Sequence, residues 1–227
     1  MCGCGLPRGY LVCPCPSSAF AAAWYVDLVK ALLSLSRRAT YADYLSAEQN
    51  SERRHEFLDG VIVAMAGGSD EHNAIAARFS TLFGVRTSSG CHCYSSDQRF
   101  WIELTSRGRY SDGSIICGRP AHPAHDQQAT TNPLVIVEVL SPSSEGDDDG
   151  DKRRDFQSLL SLQAYVLAAQ DARCVKVYRR TERGEWRDEP DVYRDGEGFE
   201  LPGLLRAVAV AEVYDRLLDA EGRSLLR

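Results

Sequence analysis

The sequence predicts an α/β (α+β) domain, a central mixed β-sheet flanked by helices, and three observations carry that expectation. Leu134–Leu140 reads Leu-Val-Ile-Val-Glu-Val-Leu between Asn132-Pro133 and Ser141-Pro142, the pattern of a strand buried on both faces. Asp70–Phe83 sets Ile75, Phe79, Leu82 and Phe83 on one helical face. Cys91–Leu104, Arg109–Cys117 and Cys174–Arg180 alternate moderately or run apolar, and read as further strands.

Taken in order, residues 1–35 form an N-terminal extension, disordered or with one helix, and residues 36–227 form the domain. Thr40 is placed to cap a helix over Tyr41–Ser46, with Asp43 at its third position. Arg53–Asp59 carries Glu56, read as a helix-borne carboxylate, and ends in a turn at Gly60 before a short strand, Val61–Ala66. Gly67-Gly68-Ser69 then breaks the chain ahead of the Asp70 helix. Gly118–Pro133 and Pro142–Gly150 are polar loops. Asp151–Ala169 reads as a second long helix, its stripe made by Phe156, Leu159, Leu160, Leu162, Tyr165 and Val166. A meander follows through Glu185–Arg194 and Phe199–Leu201, and Ala211–Leu226 is expected to be helical.

The composition allows one large domain: 227 residues, 44% of them hydrophobic. A net charge of −6 gives no global pull toward nucleic acid, although a local basic groove can coexist with it. No uninterrupted apolar span is long enough for a membrane helix, since Asp27 and Lys30 interrupt Ala19–Leu35. Cys2, Cys4, Cys13 and Cys15 form two Cys-x-Cys pairs, tighter than the usual zinc knuckle and without a nearby histidine. Cys117 and Cys174 read as buried packing residues. Nothing resembles a disulfide framework, so a reduced, cytoplasmic location is expected.

Glu138 is the residue that needs explaining, because a carboxylate inside a buried strand requires a partner, a proton or a metal. Asp112 in Tyr-Ser-Asp-Gly-Ser and Lys152 in Asp-x-x-Asp-Lys are the nearest candidates. Glu56 in Arg-Arg-His-Glu-Phe-Leu-Asp-Gly and His72 in Asp-Glu-His-Asn complete the set. Each has an ordinary alternative: an ion pair for Glu138, a turn for Asp112 before Gly113, a helix-end charge for Glu56, a surface position for His72 and a solvated lysine for Lys152. Asp97 either contacts the site or closes a turn. Within the acidic run Asp147-Asp148-Asp149, Asp148 is a candidate to orient Lys152.

Read together, residues from about 38 to 216 resemble the restriction-endonuclease-like family called Uma-two, grouped with the PD-(D/E)XK nucleases. The resemblance is strongest at Glu138–Ser144, Lys152 and Tyr165-Val166-Leu167. It implies a restriction-endonuclease-like fold and a nuclease acting on nucleic acid, DNA in the first instance. It further implies Mg²⁺, with Mn²⁺ as substitute, held by Asp112, Glu138, the Val139 carbonyl and Glu56. Phosphodiester hydrolysis needs a hard cation to offset charge on the phosphate and to lower the pKa of the attacking water. Lys152 would stabilise the developing anion or orient the nucleophile, and His72 would line the site. A homodimer suits a duplex-cutting enzyme, because a two-fold axis matches two antiparallel strands.

Two departures from the pattern stand out. Ser111 occupies the usual proline position before the first aspartate, and Leu140 occupies the lysine position of Glu-x-Lys, leaving Lys152 to supply the ammonium. A competing reading keeps the fold as a nucleic-acid or protein-binding module with little hydrolytic activity. A third makes the N-terminal cysteines a regulatory metal site.

Overall fold

The computed structural model describes residues 38–141, 145–215, 217 and 221–225. The N-terminal extension, its expected helix and its four cysteines lie outside the described residues.

Helix α1, Tyr41–Asn50, starts where Thr40 predicts: the Thr40 hydroxyl accepts from the Asp43 N–H at 3.1 Å, and the Asp43 carboxylate accepts from the Thr40 N–H at 2.8 Å. The chain then makes a hairpin, β1 (His55–Leu58) and β2 (Val61–Ala64). Asp59 and Gly60 at its tip have φ of 52° and 82°, the left-handed pair that an Asp-Gly turn supplies. Glu56 therefore sits on a strand and not on a helix; the Asp59-Gly60 hairpin overrides the charged composition of Arg53–Glu56. Helix α2, Asp70–Gly84, buries Ile75, Phe79, Leu82 and Phe83 as its period predicts, and Ser69 caps it.

Both expected long strands are split between two sheets. Cys91–Leu104 is β3 (Cys91–Ser95) and β4 (Arg99–Ile102), and Arg109–Cys117 is β5 (Arg107–Tyr110) and β6 (Gly113–Cys117). A turn through Ser96 and Asp97 and a break at Ser111-Asp112 carry the chain out of one sheet and back. With β7 (Ala129–Thr130), found inside the loop over 118–133, the five-stranded sheet has the order β2-β1-β5-β4-β7.

The six-stranded sheet holds β8 (Val135–Leu140), β9 (Ala164–Ala169), β10 (Cys174–Arg179) and β11 (Asp191–Arg194), in the order β11-β10-β9-β8-β6-β3. Strands β8 and β9 pair in parallel and β6 pairs antiparallel with β8. The connection between β8 and β9 contains two short helices, α3 (Glu145–Asp148) and α4 (Asp151–Gln157). The single helix expected over Asp151–Ala169 is thus a one-to-two-turn helix followed by a central strand. Leu160, placed in its apolar stripe, is 87% exposed. A strand buried on both faces is a continuous apolar run, and Ala-Tyr-Val-Leu-Ala-Ala carries no period that separates it from a buried helix.

Alternation along β8 sorts its side chains into two cores. Val135, Val137 and Val139 pack with α2, while Ile136 and Leu140 pack with Phe156 and Leu159 near α4. Glu138 shares the parity of Ile136 and Leu140, so its carboxylate faces the α4 side. Strands β12 (Gly198–Phe199) and β13 (Val208–Ala209) form a small ribbon, followed by α5, Val210–Val213. The expected C-terminal helix is confined to this one turn among the described residues of the tail.

Cys117 is half-buried and joined to Cys91 by a disulfide between neighbouring strands, where it had read as a packing residue. Their opposed register on β3 and β6 brings the two sulfurs together, a departure from the reduced state that the cysteine pattern predicts. Cys174 is half-buried and free. No helix among the described residues is long and apolar enough to cross a membrane.

Candidate active site

A cleft of about 410 Å³ opens between the two sheets, with Asp112, Glu138, Lys152, His72 and Glu56 all on its wall. Glu138 comes from the middle of β8, and Lys152 from the second residue of α4. Asp112 sits at the break where the chain passes from β5 to β6. There its N–H donates to the Val137 carbonyl at 3.1 Å, and its Oδ2 accepts from the Val139 N–H at 2.7 Å. The side chain of Asp112 thus replaces the next rung of the β6–β8 ladder, which fixes it beside Glu138. An extended residue points its N–H and C=O to the same side, so the Val139 carbonyl also faces Asp112.

Lys152 Nζ donates to Glu138 Oε2 at 2.9 Å and lies 3.3 Å from Asp148 Oδ1. All three are nearly inaccessible, Glu138 at 2% and Lys152 at 8% exposure. Burial opposes the Lys152 ammonium, but Glu138, Glu56, Asp148 and Asp112 outweigh it and hold its pKa well above the ordinary lysine value. Burial pushes the Glu138 carboxyl upward, against the pull of Lys152. Several carboxylates thus share one ammonium, and the cluster as a whole accepts a further positive charge readily. His72 Nε2 lies 3.1 Å from Asp112 Oδ1. Burial disfavours the imidazolium, yet Asp112 raises its pKa above the usual 6.5, and Asp112 itself is lowered against its burial by His72.

Glu138 Oε1 is buried and has no hydrogen-bond partner among the described residues. An orphaned carboxylate oxygen costs several kcal/mol unless something positive meets it. Among the described residues no group of three or more His, Cys, Asp or Glu side chains stands ready to hold a metal. Mg²⁺ keeps several waters and needs only one or two carboxylates. Glu138, Asp112 and the Val139 carbonyl are the oxygens that could hold it; Glu138 Oε1 is the open one, since His72 and the Val139 N–H engage both Asp112 oxygens. Glu56 is likewise engaged: its Oε2 accepts from Arg109 at 2.8 Å and its Oε1 from the Tyr110 N–H at 3.1 Å. Both oxygens are engaged by the protein.

Arg109 is the residue that sequence reasoning missed. It lies on β5, 1% exposed, and binds Glu56, Asp147 at 2.9 Å and Asp155 at 2.9 Å. Arg-Gly-Arg in a strand beside charged segments was its only local signal, and its partners come from far along the chain. The cleft wall from Val63 to Gly68 was also unforeseen as part of the site. Asp97 pairs with Arg54 at a turn, away from Glu138. Asp148 contacts Lys152, as the sequence suggested. His122 and His125 turn away: the first binds the Ala129 carbonyl, and the second packs on Tyr41 and Trp101.

Gly68 shapes the imidazole's seat, since a Cβ there would lie 2.6 Å from His72 Cδ2. Gly68→Ala is expected to push the ring off Asp112, and the His72 titration followed by NMR then moves down toward 6.5. An unchanged titration would show that the ring has room to spare.

Residues 41–211 match the family Uma2, described as "Putative restriction endonuclease". Two uncharacterised proteins of Synechocystis sp. are similar: one is 33% identical over 176 residues, 76% of this chain and 89% of its own length. The other is 30% identical over 156 residues, 68% of this chain and 88% of its own. A crystal structure described as a putative nuclease belonging to DUF820, from Anabaena variabilis, shares the fold with a TM-score of 0.59 at 16% identity, covering 74% of this chain and 93% of that one. With the match spanning both sheets and every residue of the cleft, the chain belongs to the Uma2 family.

Proposed function

We propose that the protein is a divalent-metal-dependent nuclease that hydrolyses phosphodiester bonds of DNA. The observation that carries this reading is the buried, unpartnered Glu138 Oε1 beside Lys152 and Asp112 at the wall of an open cleft. Mg²⁺ or Mn²⁺ held by Glu138, Asp112 and the Val139 carbonyl supplies charge neutralisation on the phosphate and a lowered pKa for the attacking water. Lys152 stays protonated at neutral pH, so it donates a hydrogen bond and positive charge to the developing anion and does not act as a base. Asp148 holds that ammonium from its other side. His72 fixes Asp112, and Glu56 with Arg109 anchors the strand beneath. The homodimer that suits a duplex cut belongs to the same proposal.

A second reading, a binding module on the same fold, is favoured by one feature: Lys152 already occupies one oxygen of Glu138, and His72 and the Val139 N–H occupy both of Asp112. Nicking of supercoiled plasmid separates the two. The wild type is expected to nick with Mg²⁺ or Mn²⁺, and Glu138→Gln and Lys152→Ala to lose at least about 10²-fold in rate. A folded wild type inert with both metals leaves the binding module; three equally active proteins mean that the cutting is a contaminant.

A further inference from the structure

A second cleft of about 320 Å³ lies beside the first, sharing with it Met65–Gly68, His72 and Asp112. The two differ in charge. The inner cleft presents Glu56, Asp112, Glu138, Asp147 and Asp148 against Lys152, and so draws a cation. The outer cleft presents Arg53 and Arg54, with Glu52 and the shared Asp112 as its acidic side chains. Arg54 is committed: it donates to the Ser96 carbonyl at 2.7 Å and pairs with Asp97. Arg53 is exposed, and its guanidinium has no partner among the described residues. An exposed cation therefore lines a cleft that adjoins one lined by carboxylates.

We propose that the outer cleft seats the phosphate that flanks the scissile one, with Arg53 as its anchor. The inference rests on the nuclease reading and narrows it: the substrate is a polynucleotide strand of at least two phosphates, not a mononucleotide. A strand with one phosphate at Glu138 and Lys152 runs past His72 and the Met65–Gly68 wall, and its next phosphate meets Arg53. An arginine fork suits that task, because it gives two parallel hydrogen bonds to phosphate oxygens where lysine gives a point charge.

The test is cleavage and binding of a fluorescein-labelled single-stranded DNA oligonucleotide by the wild type, Arg53→Ala and Arg53→Lys. Arg53→Ala is expected to raise KM about tenfold with kcat within about twofold, the size of one charge-assisted contact. Its binding, followed by anisotropy across a salt series, is expected to show a log–log slope shallower by about 0.7, while Arg53→Lys keeps the slope. Because the Arg53 side chain makes no bond among the described residues, all three proteins should melt together. If Arg53→Ala cuts with unchanged KM and salt slope, or loses kcat alone, the subsite is overturned and the nuclease reading stands. A wild type that neither binds nor cuts the strand overturns both.

Discussion

Arg109→Ala is expected to cost about 3–5 kcal/mol of stability. The guanidinium is 1% exposed and gathers three carboxylates from three different segments, Glu56 on β1, Asp147 in α3 and Asp155 in α4. Removing it leaves Glu56 and Asp155 charged, buried and short of their main partner; for Asp155, Arg107 at 3.1 Å is a partial substitute. The three carboxylates outweigh burial and hold the Arg109 pKa above its ordinary value, so its charge is present at every pH at which the protein folds. The damage extends beyond stability. Asp147 and Asp155 flank Lys152 in sequence, so losing their anchor also loosens the segment that carries the ammonium. Arg109→Lys keeps the charge but reaches fewer carboxylates, and should lose roughly half as much. Urea unfolding checks both: a shift under about 1 kcal/mol for Arg109→Ala would mean that water takes over the carboxylates and that the network is not what fastens α3 and α4 to the five-stranded sheet.

Arg109 also shows where sequence reading ran out. Thr40, the α2 stripe and the β8 run were legible because each is a local pattern: a cap, a period, an unbroken apolar run. Glu138 was legible because a charge inside such a run is an anomaly in its immediate neighbourhood. Lys152 and Asp112 followed from their order and spacing relative to it. Arg109 shows no such anomaly, since an arginine in a short strand is ordinary until partners from β1, α3 and α4 close around it. The resemblance places Glu56 among the metal ligands, and the partners that the tertiary structure gives its oxygens, Arg109 and the Tyr110 N–H, have no local signal in the sequence. Strand β9 departs from the expected helix for a different reason. Its neighbours β8 and β10 cover its edges and both cores cover its faces, so its sequence needs no alternation. The splitting of Cys91–Leu104 and Arg109–Cys117 depends on which sheet each half joins, which no local window contains. The Ser111-Asp112 break placed Asp112 at the crossing between the sheets, and that is where the cleft opens.

Lys152→Met tests the electrostatic logic of the cluster without a substrate. The substitution removes the ammonium that Glu138, Glu56, Asp148 and Asp112 share, and a cost of about 3–5 kcal/mol is expected near neutral pH. The sign of its pH dependence follows from the two shifts. The folded Lys152 pKa lies above its ordinary 10.5, so in the wild type its contribution is fully present below that value and is lost only as pH rises through the folded pKa. In the variant, burial acts on Glu138 with no ammonium to counter it, so the folded carboxyl pKa lies still further above its ordinary 4.5. That penalty is absent below about 4.5 and grows as pH rises toward the folded pKa, so the stability gap between the two proteins should narrow as pH falls. A divalent cation should substitute for the missing charge. Mg²⁺ at about a hundred times its Kd stabilises a folded protein by about 2.7 kcal/mol, and the gain in Tm should be larger for Lys152→Met than for the wild type. Nicking should nevertheless stay lost, because a cation in the ammonium's place neutralises the carboxylates without restoring the hydrogen bond to the developing anion. A gap that stays constant with pH, or a Tm indifferent to Mg²⁺ and Mn²⁺ in both proteins, would mean that Glu138 is held by Lys152 as a structural ion pair and that the cleft takes no metal.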